Sequence, residues 1–159
     1  MKNLNWNANI TFSKNKINGF EEYIDNNDST AQRVTVYIES DIAFSPNIIA
    51  GSTFTYEPIK NLKLSIITKY VGEQFLDNTS NDLRKLNAFL VNDLRINYNF
   101  HTKFIHEIGV TVAINNLFSE QYESNGYTYG YIASGQHTVE NFYYPQAGVN
   151  YLAGLTLKF

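Results

Sequence analysis

The side chains of this chain that can do chemistry are mostly oxygens and phenols. It has 159 residues, twelve Tyr, three His and no Cys. The histidines are His101, His106 and His137. The first two lie in one short polar stretch and the third is distant, a spacing that resembles no zinc site. No Ser-His-Asp arrangement has supporting context, and no G-x-G-x-x-G or P-loop spacing occurs. The chain is therefore not expected to be an enzyme, and no metal or cofactor is expected. Asp77, Asn78, Ser80, Asn81 and Asp82 are closely spaced oxygen donors, as Ca²⁺ needs. However, no Gly sits mid-loop and no bidentate Glu closes it, so an ordinary solvated loop is the better reading. Asp25, Asn26, Asn27 and Asp28 read the same way. Tyr127, Tyr129, Tyr131, Tyr143 and Tyr144 fall in a Tyr/Gly-rich stretch. Rigid aromatics separated by Gly suit ligand contact at a mouth. Loop self-packing or interface anchoring is the blander alternative.

The elements that must carry these groups alternate strictly. Asn5-Trp6-Asn7-Ala8-Asn9-Ile10-Thr11-Phe12 switches between polar and apolar without a miss. Such alternation predicts strands with two unlike faces. Further runs start near Ile48, Leu62, Phe89, Ile108 and Asn150, giving about six strands. Residues 14–30, 77–87 and 123–148 read as loops, and a short strand is conceivable at 34–38. The apolar faces carry no charge. The opposite faces carry Lys63, Lys69, Asp93, Arg95 and Lys158. Asp93 and Arg95 share that face, placed to pair with a neighbouring element or simply to line a polar lumen.

Composition sets the outer bounds. Charged residues are 17% of the chain, below the roughly 25% usual for soluble domains. The net charge of −3 argues against a nucleic-acid partner, which would meet a basic patch. Mean hydropathy is −0.30, but an average over a period-2 pattern hides two different faces. The longest apolar stretches are short, such as Ala88-Phe89-Leu90-Val91. A spanning helix needs about 20 residues. The first residues lack the apolar region of a signal peptide. An extracytoplasmic destination would thus require a longer chain or a missing start.

Alternation alone does not separate a soluble sandwich from a membrane barrel. Three features favour the barrel. The connections run long, short, long, short, long, so all long ones fall at one end. Trp6, Tyr56, Phe100 and Phe159 cluster toward the short-turn end, and Tyr70, Phe75, Phe118 and Tyr122 toward the other. Two aromatic girdles flanking an apolar band suit two lipid–water interfaces. Finally, Tyr151, Leu155, Leu157 and Phe159 put an apolar face on a strand that ends the chain in an aromatic.

That terminal strand resembles the C-terminal signal read by the barrel-assembly machinery of outer membranes. The stretch Lys69-Tyr70-Val71-Gly72-Glu73-Gln74-Phe75-Leu76-Asp77-Asn78-Thr79-Ser80-Asn81-Asp82 resembles a strand–loop segment of TonB-dependent receptors of the Bacteroidetes type. Val91-Asn92-Asp93-Leu94-Arg95 also fits. So does Asn115-Asn116-Leu117-Phe118-Ser119-Glu120-Gln121-Tyr122-Glu123, which is similar to the segment closing their penultimate strand. Tyr143-Tyr144-Pro145-Gln146-Ala147-Gly148 and Leu155-Thr156-Leu157-Lys158-Phe159 complete the pattern. The likeness covers residues 42–159 well and 1–41 loosely.

The resemblance implies an all-β, antiparallel transmembrane segment of a barrel of about 22 strands. It implies short periplasmic turns, long extracellular loops and a place in the bacterial outer membrane. It implies uptake of a nutrient such as a metal chelate, cobalamin or a glycan. The implied partners are outer-membrane lipid, the assembly machinery, a plug domain and the TonB complex. Residues 1–159 leave room for only the C-terminal part of such a barrel, without plug or TonB-contact segment. A translated fragment, a split gene or a shortened chain would look like this. Two rivals remain. One is a complete barrel of eight strands with a structural or adhesion role, should residues 34–44 hide two more strands. The other is a soluble antiparallel sandwich acting as a binding module.

Overall fold

The computed structural model describes residues 3–159. In chain order its strands are β1 (Leu4–Phe12), β2 (Lys16–Asn26), β3 (Arg33–Asp41), β4 (Ile48–Ile59), β5 (Leu62–Val71), β6 (Gln74–Phe75), β7 (Lys85–Leu86), β8 (Phe89–Phe100), β9 (Glu107–Asn115), β10 (Glu123–Ala133), β11 (Gln136–Pro145) and β12 (Asn150–Lys158). Six of them form one antiparallel sheet in the order β1-β4-β5-β8-β9-β12. These are the six that alternation predicts. They run 9 to 12 residues, close to the 9–11 that a tilted strand needs to cross a bilayer.

The register aligns the two faces across the whole sheet. Trp6, Phe54, Ile66, Leu94, Ile114 and Tyr151 form one cross-strand row. The adjacent polar row is Asn7, Thr53, Ile67, Asp93, with Asn115 and Asn150 paired beside it. A one-residue slip in any pair would put Asn and Lys among the apolar rows, so the pattern itself fixes the register. The apolar face has no charge. Its few polar groups satisfy one another: Trp6 Nε1 donates to Ser52 Oγ at 2.8 Å, and Thr68 Oγ1 donates to Asn92 Oδ1 at 2.7 Å. Among the described residues nothing covers that face. Trp6 is 68% exposed, Phe12 71% and Leu155 66%. A soluble sandwich would bury such a face against a second sheet.

The sheet's connections at one end are short. Residues 60–61 join β4 to β5, with Asn61 in the left-handed region (φ 67°). The ladder shifts register between Tyr56 and Ile59, which spares Pro58, lacking an N–H, a central ladder position. Residues 101–106 join β8 to β9, and there a His101 ring nitrogen bonds the His106 carbonyl.

Two of the long connections differ from the sequence expectation. The first and third are largely strands, whereas residues 76–84 of the second remain turns and bends, as expected. β2 and β3 form a hairpin inside the first, β10 and β11 a hairpin inside the third, and β6–β7 a short ladder inside the second. The two hairpins join through a brief parallel pairing of Tyr131 with Asp25 and Ile132 with Asn26. The result is a four-stranded cap sheet, β11-β10-β2-β3. Residues 34–44 thus contain one strand, β3, and it belongs to the cap and not to the main sheet. The two further wall strands that the eight-strand rival would need are not found there.

The hairpin tips are pinned. Ser134 (φ 51°) and Gly135 (φ 72°) form a two-residue turn with both residues left-handed, as a type I′ turn requires. Both backbone N–H groups donate to the Asp28 carboxylate, at 2.8 and 2.7 Å. Asp28→Ala is expected to loosen the tip by about 1.5 kcal/mol, since these are exposed charge-assisted bonds. Amide exchange at Ser134 and Gly135 should then speed up roughly tenfold. Unchanged exchange would refute the pin.

The buried core sits mainly in the cap and at its junction with the wall. Ile24, Leu76, Leu86 and Ile132 are buried there, with Val71 and Phe89 just below at the ends of β5 and β8. Gly126 permits this packing: a Cβ there would lie 2.6 Å from the Phe142 carbonyl oxygen and 3.1 Å from Leu76.

Candidate functional site at the mouth of the polar face

Register places Lys63, Lys69, Asp93, Arg95 and Lys158 on the same polar face, as expected from the alternation. Most of these charges are already engaged. Lys158 Nζ pairs with Glu107 at 2.8 Å. Arg95 pairs with Asp93 at 3.4 Å and donates to Asn115 Oδ1 at 2.7 Å. Asn115 in turn donates to Asn150 Oδ1 at 2.7 Å. Lys63 and Lys69 have no ion-pair partner among the described residues.

Where this face meets the cap there is a cavity of about 460 Å³. Lys69, Phe89, Asp93, Asn115, Tyr122 and Gln146 are among the residues around it. Phe89 and Tyr122 stack with ring centroids 4.3 Å apart, giving an aromatic wall. Burial raises the Tyr122 phenol pKa, and the Asp93 charge adds to this, so its hydroxyl stays protonated and able to donate. The cavity therefore offers an apolar stacking surface, several amides, one cation and one carboxylate.

Asn116 holds the cavity's rim. It is buried and left-handed (φ 50°). Its Nδ2 donates to the Glu120 and Ala147 carbonyls at 2.9 and 3.0 Å, and its Oδ1 accepts from Glu120 N–H at 2.8 Å. Its own N–H donates to Asp93 Oδ1 at 2.9 Å. In the sequence Asn116 stands out only as part of the 115–123 motif. The usable signal is an Asn at a strand end before Leu-Phe-Ser, since Asn tolerates the left-handed region.

The five tyrosines are not around this cavity. Tyr127, Tyr129 and Tyr131 alternate along β10 and share one face of the cap hairpin. Tyr127 stacks on Phe142 at 4.8 Å and lies 6.3 Å from Tyr144. Tyr129 lies 5.8 Å from Tyr131, and its hydroxyl donates to Asp25 at 3.3 Å. Tyr143 faces the other way, opposite Gly126, toward the Lys85 carbonyl. Tyr127, Tyr129, Tyr143 and Tyr144 remain exposed.

The acidic loop oxygens are occupied by the protein itself. Asp77 accepts from Thr79 and pairs with Arg84 at 2.7 Å. Asn78 accepts from Ala43 N–H, Ser80 bonds Asp41, and Asn81 accepts from Leu83 N–H. Arg84, 3% exposed, also pairs with Glu22 of β2 at 2.6 Å. Burial alone would lower the Arg84 pKa, but its hydrogen bonds to Glu22 and Asp77 outweigh that and raise it. Tyr37 donates to the other Glu22 oxygen at 2.9 Å. Burial and that bond push its pKa up to about 12. This cluster ties the first and second long connections together. His101, His106 and His137 are not brought together: the third lies on β11, opposite Ile132.

Tyr151, Leu155 and Leu157 lie on the edge strand β12, paired inward with Ile114, Val110 and Ile108. Phe159 follows the strand and is 91% exposed.

An antiparallel sheet with one charge-free face, one polar face and all elaborated connections at one end is a piece of β-barrel wall. Solved structures agree. No family model and no curated protein matches the chain. The siderophore receptor PiuA of Acinetobacter baumannii superposes over 98% of this chain with a TM-score of 0.70 and 17% identity. The ferric yersiniabactin uptake receptor FyuA of Yersinia pestis superposes over 98% with a TM-score of 0.54 and 16% identity. The chain spans about a fifth of the length of these receptors (19% and 20%). The fold is that of a stretch of antiparallel β-barrel wall.

Proposed function

We propose that this chain forms the C-terminal part of the wall of a TonB-dependent outer-membrane receptor, and that it serves nutrient uptake and not catalysis. The observation that carries this is the likeness to PiuA across nearly the whole chain, on a sheet whose charge-free face is uncovered. On this reading lipid covers the apolar face, a plug domain meets the polar face, and the TonB complex supplies energy. The assembly machinery engages Tyr151, Leu155, Leu157 and Phe159. The cap sheet is extracellular, and its exposed tyrosines contact incoming ligand. The Bacteroidetes-type assignment rests on the sequence motifs at 69–82 and 115–123 alone. One similar protein is described as a siderophore receptor and the other as a ferric yersiniabactin uptake receptor, which weighs toward a metal chelate over cobalamin or a glycan.

The decisive experiment is to sequence the DNA upstream of the first codon. An open frame encoding a plug and further alternating strands is expected. An upstream frame closed by stops, together with a chain that folds alone into a heat-modifiable pore, would overturn the reading.

The open sheet gives a second test. Its edges β1 and β12 each present unpaired backbone N–H and C=O groups. In hydrocarbon every such group costs several kcal/mol. The purified 159-residue chain is expected to produce no channel conductance in liposomes, and discrete conductance steps would refute this.

A further inference from the structure

The outer edge of the cap is a strand with no blunting device. Among the described residues β3 pairs with β2 on one side only, and the sheet order leaves its other side open. At the far end the Asp41 N–H is taken by Ser80 Oγ at 2.6 Å, so the free stretch is Arg33 to Glu39. Exposed edges usually resist pairing through Pro, Lys, a bulge or short length. Residues 34–38, Val-Thr-Val-Tyr-Ile, contain none of these. Val34, Val36 and Ile38 point to one face and are exposed, Ile38 at 87%.

The sequence of this edge is self-complementary. Placing a second β3 antiparallel to it with Val36 opposite Val36 sets Val34 against Ile38 and Thr35 against Tyr37. It also sets Arg33 against Glu39, twice. Both charged residues are exposed, and neither has an ion-pair partner among the described residues. Apolar pairs then line one face and ion pairs close both ends of the other. A two-fold interface needs this kind of match, in which one patch complements itself. Opposite charges and β-branched pairs directly across from each other are the favourable cross-strand combinations.

We propose that β3 is a homodimerisation edge. Two copies of the chain join their caps into a continuous eight-stranded sheet through antiparallel β3–β3 pairing centred on Val36. This does not depend on the transport reading, because it uses only the free edge of the cap.

The natural absence of Cys makes the test clean. Directly opposed residues in an antiparallel pair have Cα atoms about 4.5–5.5 Å apart, within disulfide range. The full chain carrying Val36→Cys, in detergent micelles under mild oxidation, is expected to form a covalent dimer rapidly. Val34→Cys, which faces Ile38, is expected to cross-link far more slowly. In the Val36→Cys background, Arg33→Glu sets like charges opposite each other at both ends and should slow dimer formation about tenfold. Adding Glu39→Arg should restore it. Absent cross-linking at position 36 would overturn the proposal and leave the edge to lipopolysaccharide, another loop or a foreign strand. Equal cross-linking at 34 and 36, or a rate indifferent to the charge swap, would also overturn it. Both results would point to association through β1 or β12 instead.

Discussion

Arg84→Met should release the second long connection from the first. One Arg84 nitrogen, Nη1, serves both Glu22 and Asp77, and the guanidinium is almost completely buried. Methionine keeps much of the side-chain volume but leaves two partly buried carboxylates facing each other with no cation. Removing one partner of a buried ion pair costs about 3–5 kcal/mol. Glu22 and Asp77 keep some solvent access (14% and 22%), so the lower end, about 3 kcal/mol, is expected here. That corresponds to a roughly hundredfold increase in cap opening. Amide exchange at Leu76, whose N–H donates to the Arg84 carbonyl at 2.8 Å, should report it directly. The cost should vanish when Glu22→Gln and Asp77→Asn are already present, because methionine then removes a buried cation without a counter-charge and strands no carboxylate. An undiminished cost in that background would show that packing, not charge, holds the connection.

Asn116→Ala should be comparably severe at the mouth of the polar face. It leaves the Glu120 and Ala147 carbonyls without their donor and the Glu120 N–H without its acceptor. Unsatisfied buried groups cost about 1–3 kcal/mol each. Alanine at φ 50° adds about 1 kcal/mol of backbone strain. A total of about 3 kcal/mol is expected once water reaches part of the opened site. Asn116→Gly loses the same hydrogen bonds without the strain, so it should be milder by about 1 kcal/mol. Denaturant titration of the three proteins in detergent measures both differences. If the Gly and Ala variants prove equally unstable, strain plays no part.

The wall of this fold was readable because it has two unlike faces over 9–12 residues per strand. Trp6, Phe54, Ile66 and Leu94 must share a side if Asn7, Thr53 and Asp93 share the other, and the chain spells out that choice. The cap was not readable for the opposite reason. β2 is interrupted by Gly19 at φ 70°, and its face toward solvent is itself polar. β10 does contain a period-2 signal in Tyr127-Thr128-Tyr129-Gly130-Tyr131, but Gly on the alternate face gives it the composition of a loop. The close approach of Phe142 and Leu76 to Gly126, and of His137 to Gly130, supplies the reason for its glycines. Arg84 was hidden in a polar run. Its burial comes from Glu22, 62 positions away, and no local pattern encodes that. The polar-face charges could be placed on their face from alternation alone, whereas their pairing could not. Arg95 turning to Asn115, and Lys158 to Glu107, depend on which strands become neighbours.

The bonds that pin the cap join very distant parts of the chain. Asp28 and Gly135 are 107 positions apart. Between them run β4, β5, β8 and β9, so the tips cannot meet until that stretch has been laid down in order. Loop-closure entropy rises with the length enclosed, and contacts of large sequence separation form slowly. Cap closure therefore comes late in maturation, after the wall strands have zipped together neighbour by neighbour. A wall with a misregistered or missing strand would hold the two hairpins apart. The closed cap is, in this sense, a built-in report that the segment beneath it was assembled in full and in register.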